Sequence, residues 1–275
     1  MAKRIAICAP ATPIRTNVSD RVEEIAREFP DLELVFHDQC FRAEGHFAGD
    51  DDERLEALLE CANDPSFDVV WFAKGGYGTN RIAARAIAAM GQAARDKTFF
   101  GYSDAGYLLA GLYKAGIGRP VHGPMAVDVR REGGEAAIRR ALGYFAGSDE
   151  GMEESIGEEP VVAFNLTTLS MLCGTELMPN LTGHVVMIEE VSEYLYSVDR
   201  LLFHVVSNLR GIAGLRLGRI TDIPENDRPF GAEPPEIMQY WCEVSGIPFL
   251  GVAEIGHTAA NRIVPFGLAG SQPRP

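Results

Sequence analysis

Phe67–Met90 reads FDVVWFAKGGYGTNRIAARAIAAM. The run from Phe67 to Ala73 is apolar but for Asp68, as in a strand buried on both faces. A turn with three glycines, KGGYGTN, follows it, and the spacing predicts a helix from there through Met90. A buried strand, a glycine turn and a helix form the repeating unit of a parallel sheet covered by helices on both sides.

The same unit recurs to either side. Arg4–Ala9 is a buried first strand ended by Pro10. Ser19 is placed as the cap of a helix whose apolar positions are Val22, Ile25, Ala26 and Phe29. Leu32–Phe36 is a second strand, and Leu55, Leu58, Leu59 and Ala62 repeat the helical spacing. Thr98–Tyr102 is the next strand, with a helix after Asp104. Residues 1–145 therefore form an α/β domain with a parallel sheet and helices on both faces. Residues 146–160, AGSDEGMEESIGEEP, are acidic and lack apolar periodicity, as expected of a linker or exposed loop. Beyond them the segments are short and strand-like: PVVAF, HVVMIEEV, GLRLGRITDI and PFLGVAEIG. They place a smaller C-terminal domain of α+β or barrel-like type over residues 161–275. The tail GSQPRP is expected to be disordered.

Composition narrows the function classes. With 39 acidic and 25 basic residues the net charge is −14, which argues against nucleic acid bound through a general basic surface. Five cysteines, Cys8, Cys40, Cys61, Cys173 and Cys242, are widely spaced with no CxxC, so neither a disulfide framework nor a zinc site is suggested. Cys8, Cys61 and Cys173 sit in apolar patterns and read as buried thiols, which fits a reducing compartment. The apolar run after Met1 is too short for a secretory signal, and no run reaches the ~20 residues of a membrane span. The expectation is a cytoplasmic protein with no membrane partner.

In a parallel sheet, ligands collect at the carboxyl ends of the strands. Two glycine-bearing turns lie on that edge, Lys74–Gly78 and Gly101–Asp104. In Gly101-Tyr102-Ser103-Asp104-Ala105-Gly106, Ser103 lies between a strand and a helix. It is either a nucleophile on a sharp turn, with helix N–H groups aimed at an oxyanion, or an ordinary N-cap. The G-x-S-x-G pattern is not met. A nucleophilic serine needs a base and an orienting carboxylate. Of the six histidines, His37 and His46 lie in an irregular stretch, His122 in a turn, His184 before a strand and His204 in an apolar helix. His257 follows a buried strand and a glycine, where a loop can present it. Glu189 and Glu190 end an apolar run and point opposite ways, so periodicity does not choose between them. An exposed strand end is the simplest account of the pair.

The ordered motifs resemble the LD-carboxypeptidase (muramoyltetrapeptide carboxypeptidase) family, which includes the microcin C self-immunity peptidases. They are AGDDDER at Ala48–Arg54, KGGYG at Lys74–Gly78, GYSD at Gly101–Asp104 and HGPM at His122–Met125. AFNL at Ala163–Leu166, IEE at Ile188–Glu190, DRLL at Asp199–Leu202 and GHTAANRIVPFG at Gly256–Gly267 follow. The resemblance implies a Rossmann-like N-terminal domain and a serine peptidase with Ser103 as nucleophile, Glu189 as orienting carboxylate and His257 as base. It implies backbone oxyanion donors at Asp104 and at Gly75 or Gly76, and substrate contacts from Lys74, Tyr77 and Asn165. The implied substrate is a murein tetrapeptide that loses a terminal D-alanine in peptidoglycan recycling. No metal or cofactor is implied, and a homodimer is. Lys74 replaces the usual arginine, Ala163-Phe164 the usual glycine pair, and Glu190 the usual aspartate. Lysine and arginine differ where a bidentate contact is made, and the Ala163-Phe164 pair would narrow the pocket wall. A peptidase acting on a peptidyl-nucleotide amide, and a ligand-binding relative without catalysis in which Ser103 only caps a helix, are the alternatives.

Overall fold

Five strands alternate with helices through the first half of the chain: β1 (Lys3–Cys8), β2 (Leu32–Phe36), β3 (Val69–Phe72), β4 (Thr98–Gly101) and β5 (Arg119–His122). The computed structural model describes residues 2–269, and the GSQPRP tail lies outside the described residues. The strands pair in parallel in the order β5-β4-β3-β1-β2. Five helices connect or follow them: α1 (Thr16–Ala26), α2 (Asp51–Asn63), α3 (Thr79–Ala89), α4 (Gly106–Ala115) and α5 (Gly134–Phe145). Side chains alternate across a strand, so β3 sends Val70 and Phe72 one way and Val69 and Trp71 the other. Val70 and Phe72 pack with α2, α3 and α4, whereas Val69 and Trp71 pack with α1 and α5. That two-sided burial is why β3 itself, VVWF, carries no polar residue.

Ser19 does not cap α1. The helix starts at Thr16 with Arg15 at the cap, and the Ser19 hydroxyl donates back to the Thr16 carbonyl at 2.8 Å. The buried stripe already includes Val18, one residue before Ser19, and the helix ends before Phe29. Buried thiols are also more numerous than expected. Cys8, Cys40, Cys61 and Cys242 are buried and Cys173 is half-buried, all of them free.

The second half builds a smaller sheet from β6 (Val161–Asn165), β7 (Val185–Val191), β8 (Gly214–Thr221) and β9 (Phe249–Val252). Its strands are parallel in the order β6-β7-β8-β9, so the smaller unit is an open parallel sheet. Helices α6 (Leu166–Leu172), α7 (Leu195–Asn208) and α8 (Pro234–Ser245) accompany it. One apolar core runs from α2–α4 of the first half to α6–α8 of the second. A last short strand, β10 (Val264–Pro265), crosses back and pairs antiparallel with β5, completing a six-stranded first sheet.

Residues 146–160 form no helix or strand, but they do not stand free of the body. Met152 and Glu153 are buried. The Met152 backbone bridges to Ile263, and the Glu153 carboxylate accepts the backbone N–H groups of Ser155 and Glu254. The acidic composition of this stretch reflects its exposed positions, while two residues anchor it.

Candidate active site

Ser103 sits just beyond β4 with a φ of +59°. A non-glycine residue in the left-handed region is uncommon and costs on the order of 1–3 kcal/mol, so the surroundings must impose it. Two glycines let them do so. A Cβ on Gly101 would lie 2.9 Å from Phe72 Cδ2, and one on Gly106 would lie 3.0 Å from Thr168 Cγ2. Close packing on both sides therefore fixes the turn, and the Thr168 hydroxyl donates to the Ser103 carbonyl at 3.3 Å. The Ser103 side chain caps nothing.

His257 faces it from the loop after β9. Its Nε2 lies 3.2 Å from Ser103 Oγ, and its Nδ1 lies 2.7 Å from Glu189 Oε2. With Nδ1–H donating to the carboxylate, Nε2 is left to accept the serine proton. Glu189 is fully buried on β7. The β7–β8 register slips there, so that Gly218 and Arg219 of β8 stand opposite Glu189 alone. Such a bulge re-aims a side chain. A Cβ on Gly218 would crowd Glu189 Cβ at 3.0 Å and Ile255 Cγ1 at 2.6 Å, so glycine makes the room. Burial pulls the His257 pKa down, but the charge and hydrogen bond of Glu189 outweigh it and hold the imidazole above its ordinary value.

Glu190 points the other way, as alternation requires. It is buried too, and accepts from Asn165 Nδ2 at 2.6 Å and from the Thr167 N–H and hydroxyl. Neither glutamate is therefore an exposed strand end. Burial raises the Glu190 pKa against these hydrogen bonds.

Gly75 approaches Ser103 from the turn after β3. A Cβ there would lie 3.2 Å from Ser103 Oγ and 3.4 Å from the Asp104 nitrogen. Gly76 and Gly78 have φ of +108° and +130°, which only glycine adopts easily. The buried Arg54 holds this turn by donating to the Gly78 and Pro10 carbonyls, and Thr12 Oγ1 donates to the Gly75 carbonyl at 2.6 Å. The Asp104 carboxylate, its pKa raised by burial, accepts the Thr79 N–H at 2.9 Å at the start of α3. The serine turn and the glycine turn are thus tied together.

A cavity of about 390 Å³ opens over these groups, lined by Lys74, Gly75, Gly76, Ser103 and His257 among others. Tyr77 and Asn165 are not part of its lining. Tyr77 is half exposed beside Phe47 and His46, while the Asn165 side chain caps α6 and bonds Glu190. Ala163 and Phe164 are buried in the core and do not narrow the cavity. Sequence reasoning passed over Arg130 and Arg131, which line the cavity and lie a few residues beyond the HGPM segment. It also passed over the tie behind the base. Buried His122, its pKa lowered by burial, donates from Nε2 to Asn261 Oδ1 at 3.1 Å, and that oxygen also accepts the Gly256 N–H. His37, His184 and His204 lie elsewhere: His37 contacts Glu60, His184 contacts Tyr113, and His204 is exposed on α7. Carboxylates of Glu44, Asp50 and Glu53 cluster, but Asp50 and Glu53 form the capping box of α2. Among the described residues no helix is long and apolar enough to cross a membrane.

A hydroxyl, an imidazole and a buried carboxylate in hydrogen-bonded series, at the carboxyl edge of a parallel sheet, is the arrangement of a serine hydrolase. Comparison with known proteins narrows this. Residues 5–123 match the LD-carboxypeptidase N-terminal domain and residues 159–271 the LD-carboxypeptidase C-terminal domain, so the chain belongs to the LD-carboxypeptidase family of serine-type hydrolases. It is 27% identical to the murein tetrapeptide carboxypeptidase of Pseudomonas aeruginosa over 96% of this chain and 91% of that one. The fold is that of the muramoyltetrapeptide carboxypeptidase from Oxalobacter formigenes, with a TM-score of 0.81 at 23% identity over 96% of this chain and 93% of that one. It is also that of the microcin C7 self-immunity protein MccF, with a TM-score of 0.78 at 17% identity over 98% and 92%.

Proposed function

We propose that this protein is a serine carboxypeptidase that hydrolyses the bond between an L-centre and a terminal D-amino acid, releasing D-alanine from a murein tetrapeptide. The observation that carries the reading is the strained Ser103 hydrogen-bonded to His257, itself bonded to buried Glu189. Ser103 Oγ attacks the scissile carbonyl carbon while His257 Nε2 takes its proton. Glu189 holds the tautomer and stabilises the imidazolium. The backbone N–H groups of Asp104 and of Gly75 or Gly76 receive the oxyanion. His257 then hands its proton to the departing amine, and water, activated by the same imidazole, releases the acyl group from Ser103.

The substrate assignment is supported by the relative from P. aeruginosa, named a murein tetrapeptide carboxypeptidase. A peptidyl-nucleotide substrate is less well served. Among the described residues, Tyr102 is the one Phe, Tyr or Trp in the cavity lining, its ring packed on His257 at 4.8 Å, and the stacked pair Tyr194 and Tyr196 stands outside the lining. The reading extends to a cytoplasmic role in peptidoglycan recycling, which the five free thiols favour. It extends also to a homodimer, for which the exposed Phe203 of α7 and Tyr240 and Val244 of α8 offer an apolar face. The test is D-alanine release from the tetrapeptide by the wild type and by Ser103→Ala. Release by the wild type alone is expected, and equal release by both would overturn the assignment of the nucleophile.

A further inference from the structure

Tyr102 is held more firmly than packing alone requires. It lies between the end of β4 and the nucleophile, and its side chain is buried. The phenol hydroxyl donates to Asp128 Oδ1 at 2.9 Å. Asp128 is buried too, and its carboxylate also accepts Arg131 Nε at 2.7 Å and the Met125 N–H at 2.9 Å. Both ends of the tyrosine are therefore fixed, its backbone beside Ser103 and its hydroxyl on Asp128. Between them the ring stands 4.8 Å from the His257 ring, centroid to centroid, with the planes at 51°. It meets the His122 ring at 5.4 Å with the planes at 65°. A ring that only filled space would need no buried carboxylate at its tip, and a buried carboxylate is costly unless it is bonded.

We propose that Tyr102 is a positioning residue for the base: anchored through Asp128, its ring keeps the His257 imidazole in line with Ser103 and stabilises the positive charge that His257 gains on taking the serine proton. This rests on the peptidase reading above. The bonds to Glu189 and Ser103 hold the two imidazole nitrogens but act in the plane of that ring. Contact with Tyr102 resists tilting out of the plane. An aromatic ring attracts a cation within about 6 Å of its centre, and more strongly out of water. Burial disfavours charge on His257, Glu189 of β7 and Asp128 favour it, and Arg131, paired with Asp128, opposes it. His122 of β5, its own pKa lowered by burial, faces it as well. Burial also keeps the Tyr102 pKa well above that of an ordinary phenol, so the hydroxyl stays protonated and stays the donor to Asp128.

The test reads the imidazole directly, by proton NMR titration of the ring signal that is missing from His257→Gln, with kcat and KM for D-alanine release measured in parallel. In Tyr102→Leu the His257 pKa is expected to fall by roughly 0.5–1.5 pH units, and kcat by roughly 10- to 100-fold with KM nearly unchanged. Tyr102→Phe keeps the ring without its anchor. It is expected to restore the pKa and to bring kcat back to within about tenfold of the wild type. A space-filling ring predicts the opposite sign, because the gap left by Tyr102→Leu admits water and relieves the burial that disfavours the imidazolium. An unchanged or raised pKa therefore overturns the inference, as does a wild-type kcat in Tyr102→Leu. A fall in Tyr102→Phe as large as in Tyr102→Leu overturns it too, since the effect then belongs to Asp128. If a thermal melt shows Tyr102→Leu unfolded, replacement of Tyr102 by pentafluorophenylalanine decides, because it keeps the shape and reverses the charge distribution of the ring. A pKa below that of Tyr102→Phe upholds the inference, and an equal one overturns it. If the wild type releases no D-alanine, the peptidase reading falls, and the titrations alone decide this one.

Discussion

Gly75→Ala should separate catalysis from stability. The added methyl carbon would lie 3.2 Å from both Cβ and Oγ of Ser103 and 3.4 Å from the Asp104 nitrogen. Those contacts are tight, so neighbours must move by a few tenths of an ångström, which costs about 1 kcal/mol. The φ of Gly75 is not among the positive ones, so alanine brings no backbone strain. It also removes unfolded-state entropy worth roughly 0.4–1 kcal/mol in the opposite direction. The unfolding midpoint should stay within about 4 °C of the wild type. The same methyl occupies the space, about 3 Å from nucleophile and donor, where the substrate oxygen must sit. Losing that pocket should lower kcat by on the order of 10²–10³, or about 3–4 kcal/mol of barrier. The assay is D-alanine release with a parallel thermal melt. A folded Gly75→Ala enzyme with wild-type kcat would refute the placement of the oxyanion hole between the two turns.

The two glutamates should respond differently. Glu189→Gln removes the charge that holds His257 above its ordinary pKa. A protonated imidazole cannot accept the serine proton, so wild-type kcat/KM falls as pH drops through the His257 pKa. The variant should lose roughly 10³–10⁴ in kcat and show that fall at lower pH; a limb that does not move would sink the role of Glu189. Glu190→Gln keeps an acceptor for Thr167 and should cost less than about tenfold, measured in the same assay. Asn261→Ala strips the buried His122 ring and the Gly256 N–H of their acceptor, a loss of about 2–4 kcal/mol, or on the order of 5–15 °C in the unfolding midpoint. Its kcat should fall more than its KM rises, because the loop behind His257 loosens; an unchanged kcat would show that the tie is structural alone.

What the sequence carried best was whatever repeats. Val69–Phe72 and its neighbours are buried on both faces, so their apolar runs mark the strands of a parallel sheet without ambiguity. The start of α1 was misplaced because serine bonds as readily to a carbonyl three residues back as to a free N–H ahead. At the site, GYSD, IEE and GHT were visible as segments. Their convergence was legible only through the family resemblance, since it depends on a bulge at Glu189 and on a loop arriving from the other sheet. Asn165 illustrates the opposite failure. It lies among the motif residues, yet its amide serves Glu190 and the start of α6, a local task that a motif match does not distinguish from substrate contact. Arg130 escaped notice because an arginine in a short turn is usually solvated, and its place in the cavity lining shows only in three dimensions.

The return of β10 to the first sheet also orders events in time. Ser103 and His257 are 154 residues apart in the chain. At roughly 5–20 residues per second of synthesis, Ser103 is made about 8–31 s before its base. The chain just beyond the base then pairs Val264 and Pro265 with His122 and Val121. During that interval the serine is an ordinary alcohol, since nothing takes its proton. A chain that has not yet reached His257 carries the nucleophile without its base. The triad therefore becomes complete only when about nine-tenths of the chain has been made, and its last member arrives just ahead of the strand that closes the first sheet.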